Sequence, residues 1–468
     1  MVFADLLFIY LFLPTVLGFY YLLQAQARNI ILVAASIIFY TWGEPVWVIL
    51  LIFSATVDFH CGKFIASRDD ARGRRLGLVI SLVSNLSLLA AFKYSGFLVT
   101  NINALTGARL PVPHFSLPIG ISFYTFQTIS YTVDIYRGRA SVQKSFLQFL
   151  LFVSLFSQLI AGPIVRYTDI ARELASRVLR FSDIAHGLRR FIMGLFKKVA
   201  IANSAGHLAS VWMNRSVESQ TVAGAWFGAL MFTLQIYYDF SGYSDMAIGL
   251  GLMFGFHLPE NFNYPYIARS VGDFWRRWHM SLSSFFRDYL YIPLGGKHRH
   301  MYLNLLIVWF LTGLWHGASW NFVLWGLYYL VFLVLEKSLP GRLLRRLPSA
   351  LGHLYLIVVV IIGWVLFYFT DLSEGLEHLR MMLFMEDLPW FDLQIKISLA
   401  NNLYWILASL LFCAPLVIWF KKMLQMVELR LGSGAGNLVM ISASLAGLVI
   451  STVLLVGQTH NPFLYYRF

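Results

Sequence analysis

The chain contains 468 residues, of which 58% are hydrophobic and 13% are charged, and its mean hydropathy is +0.67. Because a soluble globular domain carries roughly 25% charged residues and about 45–50% apolar ones, this composition excludes an ordinary soluble protein. The net charge of +13 would suggest nucleic-acid binding in a soluble protein, whereas in a membrane protein it indicates Lys and Arg gathered in cytoplasmic loops.

Apolar segments of the length that crosses a bilayer as a helix recur along the whole chain, whereas the alternating segments of a transmembrane barrel are absent. We therefore predict an all-α polytopic membrane protein with about 11 transmembrane helices, in contact with lipid and not with nucleic acid. Since no internal repeat or long linker occurs, residues 1–468 are expected to form a single membrane domain. The predicted apolar segments are 2–23, 29–42, 45–60, 76–97, 118–135, 145–165, 184–212, 221–256, 301–318, 320–336, 351–370, 402–420 and 436–457.

The first apolar segment resembles a signal peptide because Ala25-Gln26-Ala27 looks like a cleavage site. It lacks a basic leading region, carries Asp5 instead, and is longer than the apolar part of a typical signal peptide. We predict an uncleaved first membrane helix.

The distribution of charge predicts the orientation of the chain in the membrane. Acidic residues dominate 371–401, which predicts a long loop on the outer side, and the C-terminal residues 459–468 are expected on that side as well. The basic stretches expected to face the cytoplasm are 63–75, 137–144, 336–346 and 421–430.

Residues 145–165 interrupt this alternation, because they lie between the basic stretches 137–144 and 166–180. Gln158 and Pro163 also weaken a continuous helix there. A re-entrant element explains both observations, and such backbone is tolerated where it lines protein or a water-filled cavity. The segment therefore predicts re-entrant and interfacial helices around a central tunnel.

Residues 264–300 concentrate arginine, aspartate and aromatic residues around one histidine, His279. The stretch is too charged to span a membrane, and its pattern predicts an interfacial or buried amphipathic helix. On a continuous helix, a single face would carry Trp275, His279, Ser283 and Phe286. An ordinary surface helix whose arginines contact lipid headgroups is the alternative.

His316 lies in the apolar run 306–326, between Gly313 and Gly317, whose spacing permits close helix approach. An ionisable residue at membrane depth marks a candidate functional site. A buried neutral imidazole is a suitable base for removing a proton from a hydroxyl where water cannot compete. The alternative is a structural histidine that donates to a backbone carbonyl.

A metal site is not expected, because His279 and His316 alone are too few ligands and the cluster at 297–300 is a weak signal. Cys61 and Cys413 lie far apart in or beside apolar segments, which favours buried side chains over a disulfide.

Asp239 and Asp245 are six residues apart, so on a helix they point in different directions and do not form a carboxylate pair. Asp239 could bind a nearby arginine in a buried ion pair, or the stretch could be a polar interruption between two membrane segments.

Five ordered motifs resemble the membrane-bound O-acyltransferase family, most closely the bacterial branch that acetylates alginate or cellulose. They cover residues 158–326 and read "QLIAGPIVRY", "YYDFSGYSDMAIG", "PENFNYPYIARS", "FWRRWHMSLSSFFRDYLYIPLGG" and "LWHGASWNFVLWG". The terminal "PFLYYRF" is also similar, although Arg467 stands where Gln is more usual.

The resemblance implies an acyltransferase of the bacterial inner membrane that takes acetyl from cytoplasmic acetyl-CoA, with no bound cofactor. It implies His316 as the catalytic base and His279 as a second active-site residue that positions the acyl group or the acceptor. The residues proposed to bind the donor or stabilise the oxyanion are Arg276, Arg277, Arg287, Trp275, Trp315, Asn321 and Asp239. The oxyanion donor itself stays open among His279, Trp315 and Asn321.

The branch also implies a periplasmic SGNH-type acetyltransferase and polysaccharide secretion machinery as partners, with a periplasmic C-terminus. The tail residues that could dock such a partner are Phe463, Tyr465, Tyr466 and Phe468. The acceptor stays open among alginate, cellulose, another cell-envelope polymer and a serine of a partner protein. A transporter or flippase, transfer of D-alanyl or another acyl group, and a non-catalytic scaffold remain alternatives.

Overall fold

A computed structural model of the chain describes residues 1–159, 162–338, 347–416, 422–423, 426, 434–457 and 463–464. All regular secondary structure in these ranges is helical, which confirms the predicted all-α class. Helices of the first part of the chain are α1 Leu13–Leu22, α2 Arg28–Gly43, α3 Val48–Ala66, α4 Ala71–Leu89, α5 Ser95–Thr106, α6 Ile121–Tyr136, α7 Phe146–Ser154, α8 Phe156–Leu159, α9 Tyr167–Ala175 and α10 Phe181–Phe196.

Each of the two predicted active-site histidines lies where one of the later helices ends, close to the start of the next. In chain order these later helices are α11 Asn203–Met213, α12 Val222–Met253, α13 Val271–Arg277, α14 Met280–Phe286, α15 Met301–His316, α16 Trp320–Leu335, α17 Ser349–Tyr368, α18 Leu372–Met382, α19 Leu393–Phe412 and α20 Ala435–Leu455. Short π-helical turns occupy Phe8–Phe12, Ala90–Tyr94, Lys197–Ala202 and Arg287–Tyr291, and 3₁₀ turns occupy Ala25–Ala27, Val217–Ser219 and Pro265–Ile267.

The chain divides into two compact units. The first comprises Met1–Phe191 and Tyr243–Glu260, and the second comprises Ile192–Gly242 and Asn261–Phe468. Both predicted active-site histidines lie in the second unit. The single membrane domain over residues 1–468 stays a prediction.

Several helices have the length and composition needed to cross a bilayer. Within the described residues there are 5 such stretches, Val48–Ala66, Ala71–Thr106, Ser349–Tyr368, Leu393–Phe412 and Ala435–Leu455. Shorter apolar helices are Phe8–Leu22, Met301–His316 and Trp320–Leu335. The integral membrane character is therefore supported by the structure, whereas the larger number of crossings stays a prediction.

A buried polar network joins α3, α4 and α6 in the first unit. Ser81 and Asn85 both donate to the carboxylate of Asp58, and Ser54 donates to the Asn85 carbonyl at 2.8 Å. Thr132 lies 2.9 Å from the Ser81 hydroxyl. Since polar groups inside a membrane protein are stable only when hydrogen-bonded, this network fixes how the three helices pack.

Two stretches predicted to be loops are largely helical. The basic stretch 63–75 contains the end of α3 and the start of α4, so only 67–70 connect them. The acidic stretch 371–401 contains α18 and the start of α19. The loop predictions were wrong because the charges of 63–75 lie on the ends of two apolar helices, whereas α18 has a wide polar face and a buried apolar face. The side of the membrane on which each stretch lies stays a prediction.

The predicted re-entrant segment forms α7 and α8, which are separated by a break at Leu155. The 9-residue α7 is about 14 Å long, which is less than half the thickness of a bilayer core. Gln158 folds back and donates from its amide to the Phe152 carbonyl oxygen. The described part of the segment is therefore too short to span, and its re-entrant path stays a prediction, with residues 160–161 outside the described chain.

Helices α15 and α16 pack as a close antiparallel pair in the second unit, as the Gly313 spacing predicts. A Cβ added at Gly313 would lie 2.3 Å from the Phe322 carbonyl oxygen, and one at Gly326 would lie 2.3 Å from that of Trp309. A Cβ at Gly317 would meet the Phe322 ring at 2.2 Å. Because backbone atoms cannot move aside as a flexible side chain can, Gly313 and Gly326 hold the two backbones in contact.

Replacement of Gly313 by valine is expected to lower the free energy of unfolding by about 1–3 kcal/mol, because α15 and α16 must separate to admit the side chain. Thermal unfolding of the detergent-purified protein measures the loss. Gly18→Val is the matched control, since no atom lies within 4 Å of a Cβ at Gly18 in α1. Equal melting temperatures for the two variants would contradict the close packing.

Candidate active site

His279 lies at a break between two short helices, not within one helix. α13 ends at Arg277 and α14 begins at Met280, and His279 has a left-handed backbone with φ of 44°. The prediction of one continuous helix, with Trp275, His279, Ser283 and Phe286 on one face, is therefore wrong. A non-glycine residue in this conformation is strained and is held there by its surroundings.

The N-terminus of α13 is fixed by two side chains. Ser270 caps it by accepting from the Asp273 N–H at 3.0 Å. The carboxylate of Glu336, at the end of α16, accepts from the N–H groups of Val271 and Gly272. An acidic group at a helix N-terminus compensates its free N–H groups and its dipole, so α13 is attached firmly to α16.

His279 is buried and hydrogen-bonded to Asn261. Its Nδ1 lies 3.0 Å from the Asn261 Oδ1, and the Ser281 hydroxyl donates to the same oxygen at 2.8 Å. The Phe240 ring packs edge-on against the imidazole, with ring centroids 4.7 Å apart. Burial lowers the pKa of His279 to about 3, so the ring is neutral at physiological pH.

Asn261 and Ser281 are missing from the residues predicted from the sequence. Asn261 lies in the motif "PENFNYPYIARS", which was recognised only as part of the family resemblance. Because 18 residues separate Asn261 from His279, no helix or strand periodicity relates the two side chains. Their contact depends on the tertiary fold.

His316 is the last residue of α15 and lies in an aromatic cage. Its ring contacts Trp325 and Phe367, with centroid distances of 5.0 and 5.2 Å, and the ring of its neighbour Trp315 at 4.9 Å. The helix ends here because Gly317 adopts an extended backbone. His316 therefore stands at a helix end, and the run 306–326 is a helical hairpin instead of one span.

Trp315 connects the two histidines. Its ring centroid lies 6.0 Å from that of His279 and 4.9 Å from that of His316. Two residues that are 37 positions apart in sequence thus contact one indole ring. The structure brings the two histidines predicted for the active site into one buried aromatic cluster, although their catalytic roles stay predictions.

Trp275 packs one layer further from His316. Its ring contacts Trp325 at 5.6 Å and Tyr329 at 4.9 Å, and Trp325 is the residue that contacts His316. Trp275 therefore packs against Trp325 of the aromatic cage and does not reach the His316 ring through a described ring contact. Its role in donor binding stays a prediction.

Asn321 lies in the first turn of α16 and binds the backbone that follows α17. Its amide nitrogen donates to the Phe369 carbonyl oxygen, and the Ser319 hydroxyl donates to its Oδ1 at 3.2 Å. One of its two amide hydrogens is therefore used for structure. Only the second is available for the predicted oxyanion contact.

The three predicted donor-binding arginines form ion pairs with neighbouring aspartates. Arg276 and Arg277 lie 3.3 and 3.0 Å from Asp273, and Arg287 lies 2.7 Å from Asp288. The Arg276 and Arg287 side chains are mostly exposed. Exposed ion pairs contribute at most about 1 kcal/mol, so these guanidinium groups can exchange a carboxylate for a phosphate. Their role in donor binding stays a prediction.

Asp239 is buried on α12 and forms an ion pair with Lys198 at 2.6 Å. Its other oxygen accepts from the backbone N–H of Leu464 at 2.7 Å. The predicted arginine partner was wrong, because the basic residue that reaches Asp239 is a lysine 41 positions earlier, a distance that sequence spacing does not reveal. With both oxygens engaged, Asp239 anchors the C-terminal tail, and its predicted contact with the donor stays untested.

The described part of the tail lies inside the fold. Phe463 and Leu464 are buried, at 2% and 7% exposure. Phe463, predicted to dock a partner, therefore packs within its own chain in this structure. Tyr465, Tyr466 and Phe468 lie outside the described residues, so partner docking by the tail stays a prediction.

Side chains that bind metals do not cluster within the described ranges, where no three of His, Cys, Asp or Glu come together. The buried Cys61 and Cys413 are both free thiols, as predicted. Asp245, the second aspartate of its motif, forms an ion pair with Arg190 at 3.0 Å in the first unit. The two aspartates therefore have separate partners, in agreement with the prediction that they do not form a carboxylate pair.

Acidification is expected to destabilise the protein through His378 on α18, whose ring is buried beside Phe369. Burial lowers the pKa of His378 to about 4, whereas an unfolded histidine has a pKa of about 6.5. The stability gained by keeping the ring neutral is fully present above pH 6.5. It is lost as the pH falls toward 4, because the unfolded chain binds a proton that the folded chain does not, and the loss reaches about 3 kcal/mol.

Melting temperatures between pH 7.5 and 4.5 measure this effect. In His378→Phe the free energy of unfolding should fall less steeply with decreasing pH. The slope should be smaller by up to about 1.4 kcal/mol per pH unit, the value that corresponds to one proton. His60→Phe, on an exposed face of α3, is the control. An unchanged pH slope in His378→Phe would show that this histidine is protonated in the fold.

The fold and the paired histidines define the class of protein. The chain matches the MBOAT, membrane-bound O-acyltransferase family, over residues 117–376, a range that contains Asn261, His279 and His316. It therefore belongs to the membrane-bound O-acyltransferase family and is an integral membrane O-acyltransferase.

Individual relatives narrow the chemistry. The chain is 41% identical to the "Probable alginate O-acetylase AlgI" of Azotobacter vinelandii, over 84% of this chain and 80% of that protein. It is 36% identical to the "Peptidoglycan O-acetyltransferase" of Helicobacter pylori, over 82% of this chain and 80% of that one. Identity to the "Teichoic acid D-alanyltransferase" of Bacillus subtilis is 26%, over 56% of this chain and 69% of that one. By their names, these relatives transfer acyl groups to alginate, peptidoglycan and teichoic acid.

Proposed function

We propose that the protein takes acetyl groups from cytoplasmic acetyl-CoA and passes them across the bacterial inner membrane for O-acetylation of an exopolysaccharide, alginate or cellulose. The observation that carries this proposal is the meeting of His279 and His316 at one buried tryptophan in a membrane-bound O-acyltransferase. Acetyl is favoured over D-alanyl because identity is 41% to an alginate O-acetylase and 26% to a D-alanyltransferase.

His316 is the proposed base. The acceptor hydroxyl gives its proton to the imidazole as the oxygen attacks the thioester carbon, and the coenzyme A thiolate leaves and takes up a proton. The aromatic cage supports this role, because it excludes the water that would otherwise hydrolyse the thioester. Trp315 and Asn321 are proposed to donate to the oxyanion that forms during the attack.

The arginines of 269–299 are proposed to hold the phosphates of acetyl-CoA at the cytoplasmic mouth of a tunnel. Arg276, Arg277 and Arg287 support this, since a guanidinium fork matches phosphate oxygens and the Arg276 and Arg287 side chains are mostly exposed. The topology that fits has about 11 transmembrane helices in one domain, a re-entrant 145–165 and a periplasmic C-terminus. The acetyl group then passes to a periplasmic SGNH-type acetyltransferase, which transfers it to the polysaccharide and works beside the secretion machinery.

Transfer from labelled acetyl-CoA by the purified full-length chain in lipid nanodiscs tests the proposal. With polysaccharide fragments or the periplasmic partner as acceptor, we expect stable label on the acceptor and release of free coenzyme A. Labelled D-alanyl and longer acyl thioesters serve as competing donors. Release of coenzyme A from none of these thioesters would contradict the proposal, and transport of intact label into sealed vesicles without coenzyme A release would favour a transporter.

A further inference from the structure

The hydrogen bonds around Asn261 determine which nitrogen of His279 carries the proton. The Ser281 backbone N–H, which can only donate, points to the Asn261 Oδ1 at 3.3 Å. The atom placed there must therefore be the acceptor oxygen of the amide and not its NH₂ group. Because His279 Nδ1 lies 3.0 Å from the same oxygen, Nδ1 must donate, and it carries the ring hydrogen.

The other ring nitrogen is buried and points away from this network. His279 Nε2 makes no hydrogen bond with any group of the described residues. In a neutral imidazole protonated on Nδ1, Nε2 carries a lone pair and can only accept. A buried acceptor without a partner is costly, which is typical of a group held ready for a substrate.

Asn261 also holds the backbone that presents this ring. Its carbonyl oxygen accepts from the Met280 N–H at 3.0 Å, next to the left-handed residue. Backbone and side chain of Asn261 thus bind residues 279, 280 and 281 together. These hydrogen bonds explain why His279 keeps a strained φ of 44°, and this backbone conformation sets the direction of its ring.

We propose that Asn261 and Ser281 are positioning residues that hold His279 with its proton on Nδ1, so that Nε2 accepts a hydrogen bond from the hydroxyl-bearing acceptor. The inference rests on the proposed function and deepens it. A sugar unit carries several hydroxyl groups, so one binds Nε2 while a neighbouring one loses its proton to His316. His279 then has no N–H for the oxyanion, which leaves that contact to Trp315 and Asn321.

Kinetics of three variants in nanodiscs test the positioning role. Asn261→Leu removes the acceptor oxygen, so kcat should fall at least about tenfold while KM for acetyl-CoA stays within about twofold. Asn261→Asp keeps the acceptor and adds a negative charge beside Nδ1–H, so the pKa of His279, followed through its nitrogen-15 signal, should rise by about one unit or more. Ser281→Ala should lie between wild type and Asn261→Leu.

A matched control separates positioning from folding. Asn304 is also a buried asparagine of the second unit, and its amide donates to the Gly296 and Arg299 carbonyl oxygens. Asn304→Leu should lower the melting temperature but leave the tautomer and the pKa of His279 unchanged. Phe240 and Trp315 contact His279, and their titratable neighbours in sequence are Asp239, which is paired with Lys198, and His316. All variants keep these groups.

A spectroscopic measurement tests the tautomer without relying on catalysis. Solid-state nitrogen-15 spectra of histidine-labelled protein in bilayers distinguish Nδ1–H from Nε2–H rings, and the difference from His279→Gln identifies the His279 signal. We expect an Nδ1–H ring in wild type and a mixed or reversed signal in Asn261→Leu. An Nε2–H ring in wild type, or a His279 pKa in Asn261→Asp equal to that in wild type, would overturn the inference. Absence of acetyl transfer by the wild-type protein would instead contradict the proposed function. The tautomer could still be measured in that case.

Discussion

Replacement of His316 by alanine is expected to lower acetyl transfer by about 10²–10⁴-fold, the contribution of a positioned general base. The imidazole is buried among Trp315, Trp325 and Phe367, so neither water nor another base replaces it readily. His316→Gln keeps a polar side chain of similar length but cannot take the proton, and the same loss is expected. The assay is transfer of labelled acetyl from acetyl-CoA, normalised to folded protein measured by size-exclusion chromatography.

His378→Ala is the matched control, because it removes an equally buried imidazole of the second unit that the proposed reaction does not use. Its activity per folded molecule should remain within about threefold of wild type at pH 7.5, although its melting temperature falls. If His316→Ala kept a tenth or more of wild-type activity while folded, the catalytic base would be another group. His279, with its accepting Nε2, would then be the next residue to test.

Hydropathy predicts the helices of this chain well where a whole helix is apolar, as in α17 and α20. It fails where a helix has a wide polar face or a break imposed by tertiary contacts. Residues 264–300 illustrate the second case, because the pattern of Trp275, His279 and Ser283 fits one helix. Asn261, 18 positions before His279, binds His279 and Ser281, and His279 itself adopts a left-handed backbone.

The residues of the candidate site also divide into those that the sequence indicates and those that only the fold reveals. The sequence indicates His316 because an ionisable residue stands out in an apolar run, and it indicates His279 by family resemblance. It does not reveal Asn261, whose role depends on a hydrogen bond between distant residues. Nor does it reveal that Lys198 reaches Asp239 across 41 positions, because each residue alone reads as a charge interrupting a membrane segment. Pairings of this kind are properties of the packed helices.

Of the ion pairs described above, the buried pair of Lys198 and Asp239 is expected to change the free energy of unfolding most when one partner is removed. Removing one partner from a buried pair leaves an uncompensated charge, so Asp239→Leu should lower the free energy of unfolding by about 3–5 kcal/mol. Asp239→Leu also leaves the Leu464 N–H without its acceptor. Asp239→Asn keeps an acceptor for this N–H and lacks only the charge. Melting temperatures of detergent-purified variants measure the losses.

A double variant separates the two contributions of Asp239. Lys198→Met with Asp239→Leu removes both charges and should recover most of the loss, because an apolar pair of similar volume often replaces a buried ion pair without cost. A deficit of about 1–3 kcal/mol should remain from the N–H of Leu464, which measures how firmly the tail is anchored. Asp273→Asn, in a pair that is only partly buried, is the control and should cost about 1 kcal/mol, less than the loss in Asp239→Leu. If the double variant were no more stable than Asp239→Leu, the charge of Asp239 would contribute little and its main role would be to hold the C-terminal tail.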